Sequence, residues 1–154
     1  MATRKILVPY NFTQNDEKVV AFVVDSFGHQ ADAQITLFHT YIAVPDIEVS
    51  DKTVMSRLSG NLAYLRQKNY ELQEALQQAR KRLLKEGFAE QNVQCVFKSQ
   101  EKEAAQEIIE QATKGGFNTI VLSKNPSKIG KFFSASISKK VARALKDIEL
   151  LIVT

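Results

Sequence analysis

Reactive side chains are scarce in this chain. One cysteine, Cys95, and two histidines, His29 and His39, stand among its 154 residues. A single cysteine excludes an internal disulfide framework. Its place in the alternating run Val93–Phe97 reads as a buried, inert thiol rather than a nucleophile. With so few histidines and cysteines, no metal-ligand cluster can be assembled by spacing. Glycine is equally thin, at six residues. Neither Gly-x-Gly-x-x-Gly nor Gly-x-x-x-x-Gly-Lys-Ser/Thr occurs, nor Gly-x-Ser-x-Gly, so the common nucleotide fingerprints and the hydrolase elbow are missing. Long apolar runs are missing too. No h-region of ~7–15 apolar residues follows Met-Ala-Thr-Arg-Lys, and nothing approaches the ~20 residues that span a bilayer. The expectation is a cytoplasmic protein with no membrane partner.

What is present is an ordinary globular composition, with 44% hydrophobic and 25% charged residues. The length suits one domain, residues 1–154, with a single well-buried core. Charge is unevenly placed. Between Lys124 and Lys146 lie seven basic residues and no acid; with a net charge of +4, the remainder of the chain carries −3. Such a field attracts anions in general, whether phosphate ligands, acidic partners or nucleic acid, and it also describes a solvated lysine-rich helix face.

The hydrophobic pattern alternates between strands and helices. Ile6-Leu7-Val8-Pro9 reads as a strand buried on both faces. Thr13 with Asp16 resembles a capping box opening a helix to about Phe27, where Gly28 stops it. Ile35–Thr40 is a second strand, followed by a loop from Tyr41 to Thr53. The longest helical pattern then runs to Gly87. Met55, Leu58, Leu62, Leu65, Asn69, Leu72, Leu76, Ala79 and Leu83 make a heptad-like seam with one polar member, Asn69. From Leu58 to Leu83 the helix would span on the order of 39 Å, against about 20 Å for a six-residue strand. It therefore either overhangs the sheet or breaks near Ser59-Gly60. An overhang would offer a partner surface, whereas a helix packed on its own domain needs none. Val93–Phe97 is a third strand, Glu101–Lys114 an amphipathic helix, Thr119–Leu122 a fourth strand, Ser136–Leu145 a last helix and Leu150–Thr154 a fifth strand. The alternation predicts an α/β fold, an open five-stranded parallel sheet with helices on both faces.

Ligands in such sheets bind beyond the carboxyl ends of the strands, at the switch point in strand order. That places the candidate nucleotide or anion pocket on Pro9, Tyr10, Asn11 and Thr40. It extends to the segment containing Ser123, Lys124, Asn125, Pro126, Lys128, Ser134, Ala135 and Ser136. In the latter, a strand, a small-residue loop and a helix start follow one another, as phosphate binding requires. His39 at a strand end reads first as a satisfied, half-buried histidine. No paired carboxylates fall in these loops, so acid–base catalysis and Mg²⁺ binding lack ligands. The residues give little support to an enzyme, and no catalytic or metal residue is assigned.

With these residues in view, the chain resembles the universal stress protein family over nearly its whole length. Lys5–Pro9 with Phe12-Thr13 is similar to that family's first strand and helix entry. Thr36-Leu37-Phe38-His39 is similar to its second strand, Ser136–Val141 to the helix after its phosphate loop, and Leu150–Val153 to its terminal strand. The resemblance implies a Rossmann-like fold of the adenine-nucleotide alpha-hydrolase type. It also implies a homodimer through the terminal strand Leu150–Thr154, a pairing that would cover an exposed apolar edge. Nucleotide-binding members carry an aspartate after the first strand and a loop with three glycines. Here Asn11 stands at the aspartate, with Ser123, Pro126 and Ala135 at the glycines. Proline deletes a donor and Cβ atoms obstruct backbone approach to a phosphate. Ser136 is retained, and Lys124, Lys128 and Lys131 offer side-chain cations instead. The expectation is a non-catalytic stress-response module, a homodimer that binds protein partners, with no cofactor and weak or absent ATP binding. The alternative is an ATP-binding switch or slow ATPase with an atypical loop. Nucleic-acid binding through Lys124–Lys146 ranks behind both, since Phe132 and Phe133 are its only interleaved aromatics.

Overall fold

The computed structural model describes residues 4–12, 16–43, 52–123 and 135–153; in 52–59, 135 and 136 it describes the backbone alone. Among the described residues nine strands and α-helices alternate. They are β1 (Lys5–Pro9), α1 (Asp16–Phe27), β2 (Gln34–Tyr41), α2 (Lys52–Lys85), β3 (Val93–Ser99), α3 (Ala104–Gly115), β4 (Thr119–Ser123), α4 (Ala135–Ala144) and β5 (Glu149–Val153). A single 3₁₀ turn, Glu90–Asn92, precedes β3. The strands form one sheet in the order β3-β2-β1-β4-β5, every neighbouring pair parallel. This is the α/β fold expected from the alternation of periods.

Burial follows from that topology. In β1, Ile6, Leu7 and Val8 are at most 1% exposed, because helices cover both faces of the sheet's centre. Alternation sends Ile6, Val8, Ile35, Leu37 and Val121 to the face covered by α1 and α2. Leu7, Phe38, Ile120 and Leu122 go to the face covered by α3 and α4. Gly116 ends α3 in the left-handed region at φ +67°, its N–H bonded to the last turn, so Gly115-Gly116 is the stop the sequence predicts. The Thr13 capping box lies outside the described residues.

Helix α2 resolves the alternative left open by its pattern. Its 34 residues run without interruption through Ser59-Gly60, a length of roughly 51 Å. Its second half packs on the sheet, with Leu76, Ala79 and Leu83 buried. Its first half projects past the strand ends, leaving Tyr64 and Tyr70 exposed. The break fails to form because one exposed glycine costs a helix only about 1 kcal/mol, and Gly60 sits where nothing crowds it.

Candidate functional site

The chain order reverses between β1 and β4, so the switch point lies at their carboxyl ends. On the β1 side of that point a cavity of about 370 Å³ opens along the rim formed by β1, β2 and β3. Pro9 to Phe12 form its floor, and Phe38 to Ile42 one side. Leu65, Lys68, Asn69 and Leu72 of α2 close it from one sheet face; Gln100, Ala104 and Ile108 close it from the other. Positions 65, 68, 69 and 72 share one helical stripe by spacing. The heptad-like seam therefore faces its own domain's cavity in the overhanging half.

Backbone pairing holds the rim together. Tyr10 N–H donates to the Phe38 carbonyl at 2.8 Å, and Gln100 N–H to that of Tyr41 at 2.8 Å. Asn69, the polar member of the seam, donates through Nδ2 to the Ile42 carbonyl at 2.9 Å, tying the overhang to the end of β2. Thr40 Oγ1 donates to Gln100 Oε1 at 3.2 Å, a bond that does not use the Gln100 amide nitrogen, and Gln100 lines the cavity.

An aromatic row stands on the α2 side. Tyr10 meets Phe12 edge-on at 5.0 Å and Phe12 meets His39 edge-on at 4.6 Å. His39 stacks on Phe97 at 5.8 Å, and Phe97 on Tyr41 at 4.6 Å. Phe12 reaches its place with φ +58°, a left-handed conformation that costs a bulky residue roughly 1–2 kcal/mol. Such strain persists only where the surroundings over-determine it, and here two ring contacts do so.

His39 Nδ1 lies 2.8 Å from the Tyr10 carbonyl, which can only accept, so Nδ1 carries the proton and Nε2 is the free acceptor. Burial pushes the His39 pKa below its ordinary value, partly countered by that carbonyl bond, and the ring is neutral at pH 7. Burial, reinforced by Asp16, raises the Tyr10 phenol to about 12, so it too is neutral. Among the described residues the lining holds no carboxylate. Cys95 lies half-buried with its thiol 3.8 Å from the Leu76 carbonyl, and burial raises its pKa.

Of the residues expected to line a pocket, Pro9, Tyr10, Asn11 and Thr40 meet in this cavity. Ser123 does not. It is 2% exposed at the end of β4, and its hydroxyl finds no partner among the described residues. Ala135 and Ser136 open α4. Lys124, Asn125, Pro126, Lys128, Lys131, Phe132, Phe133 and Ser134 lie outside the described residues. The remaining basic residues, Lys139, Lys140, Arg143 and Lys146, are exposed, with Lys140 paired to Glu103 at 3.0 Å. Among the described residues no cluster of His, Cys, Asp or Glu converges as a metal site, and no helix is long and apolar enough to cross a membrane.

A family model described as "Universal stress protein family" matches residues 2–153. None of the curated proteins matches the chain. Among solved structures, hypothetical protein MJ0577 is similar at 18% identity, covering 99% of this chain and 96% of its own, with a TM-score of 0.68. Universal stress protein UspA from Lactobacillus plantarum is similar at 14% identity, covering 100% and 99%, with a TM-score of 0.67. A universal stress protein from Archaeoglobus fulgidus in complex with dAMP is similar at 16% identity, covering 100% of both chains, with a TM-score of 0.62.

Proposed function

Because this chain belongs to the universal stress protein family, we propose that it is a non-catalytic binding module of the stress response whose cavity takes an adenine nucleoside or mononucleotide. One observation carries this reading: a cavity of about 370 Å³ at the carboxyl rim, walled by Tyr10, Phe12, Leu65 and Leu72. A preformed apolar cavity with a few polar groups is how small-molecule sites are built. Aromatic walls suit a flat ring. The His39 Nε2 acceptor and the Gln100 amide donor complement the edge of a purine. That a related protein was solved with dAMP supports the same ligand class. Triphosphate binding is weak in this proposal, because Ser123, Pro126 and Ala135 replace the glycines that backbone cradling needs.

The test is calorimetric titration with adenosine, AMP and ATP, alongside mass spectrometry of the protein denatured directly after purification. Adenosine and AMP are expected to bind, with ATP no tighter than AMP. Stoichiometric ATP carried through purification would sink this reading in favour of an ATP-binding switch or slow ATPase.

The proposal includes cytoplasmic residence and a homodimer through β5, which can in turn present surfaces to protein partners. The support is that β5 is an edge strand whose Ile152 is 45% exposed, an edge that association would cover. Deleting residues 150–154 is expected to abolish the dimer; an unchanged mass by light scattering would refute that interface.

A further inference from the structure

We infer that Lys68, on the overhanging half of α2, is the anion-holding residue of the cavity, and that the site therefore selects a mononucleotide over the bare nucleoside. This rests on the nucleotide reading above and names the group that would receive the phosphate.

Three observations place it there. Among the described residues Lys68 is the one charged residue in the lining. It lies on the same helical stripe as Leu65, Asn69 and Leu72, and the Asn69–Ile42 bond fixes that stripe against the end of β2. None of the ion pairs formed among the described residues involves Lys68. A flat ring held among the aromatic and leucine side chains would direct its substituent outward, and among the described residues the exposed Lys68 is the cation lining that boundary. An ammonium receives a phosphate as a compact charge, without the fixed geometry of a guanidinium.

The test is calorimetric titration of adenosine and AMP into the full chain and into Lys68→Ala, Lys68→Glu and Lys68→Arg. In the unaltered protein AMP should bind roughly five- to tenfold tighter than adenosine at low salt. Raising the salt should erode that advantage. Lys68→Ala should remove the advantage while changing adenosine affinity less than about twofold, Lys68→Glu should reverse it, and Lys68→Arg should keep most of it. AMP affinity unchanged by Lys68→Ala would overturn the assignment while leaving the nucleotide reading intact. If neither ligand binds the unaltered chain, the nucleotide reading fails and this assignment with it.

Discussion

The two halves of α2 carry the same seam and use it differently. In the second half, Leu76 is 0% and Leu83 1% exposed against β2 and β3. In the stretch before it, up to residue 72, Leu62, Leu65 and Leu72 are half-buried, and Leu65 and Leu72 border a cavity. The spacing of leucines is identical; what changes is the surface opposite. Where the sheet lies beneath, the seam becomes core. Where the strands have ended, it becomes the wall of a site. A helix longer than its sheet thus turns a stability device into a recognition device without changing its repeat.

This contrast can be broken most forcefully at its buried end. Leu76→Ala should destabilise the fold by about 3 kcal/mol, because a fully buried leucine leaves both lost transfer energy and a cavity. Urea denaturation measures it as a lower midpoint. Leu72→Ala should cost less than about 1 kcal/mol, since Leu72 is already partly solvated. It should instead weaken AMP binding in calorimetry. Equal losses of stability at the two positions would mean that the overhang is core after all.

A subtler cut separates the overhang from its anchor. Asn69→Ala removes the donor to the Ile42 carbonyl. A hydrogen bond of this kind contributes about 0.5–1 kcal/mol, and the lost tie should show as faster amide exchange in residues 60–72 than in 76–85. Uniform exchange along the mutant helix would remove the distinction between the halves.

Much of the fold was legible because it rests on local patterns. Strand and helix periods, Gly28 and Gly115-Gly116 marked the elements, and their alternation implied a parallel sheet. Tyr10, Asn11 and Thr40 were readable as cavity-lining residues because they directly follow or end strands, at the rim where open sheets form clefts. Leu65, Lys68, Gln100 and Ile108 were not. They reach the cavity through the overhang of α2 and the packing of α3, and nothing in a local window states where a helix stops having a sheet beneath it. The seam itself was visible, yet a three-and-four spacing specifies an apolar stripe and not its partner. Asn69 read only as the polar member of that seam, whereas its amide holds a strand-end carbonyl. The left-handed backbone of Phe12 gave no local signal, since a positive φ at a phenylalanine is imposed by its ring neighbours.

The smallest effect expected comes from pH, and it tests the cavity side of the molecule through His39. His39 has its pKa lowered in the folded chain by burial, so the unfolded chain binds the proton more readily. Stability contributed by the neutral ring is therefore fully present above the ordinary value of 6.5 and is lost as pH falls below it toward the folded value. Carboxylates titrate lower in the same experiment, so the informative quantity is the difference between the protein and His39→Phe. Between pH 8 and 5.5 the unaltered protein should lose more stability than His39→Phe does, whatever the offset between them at pH 8. Tyr10 stays neutral throughout, because its phenol titrates near 12. A steeper loss in the variant would mean that the charged ring is favoured in the fold, and that the aromatic row is a cation site instead of a neutral wall.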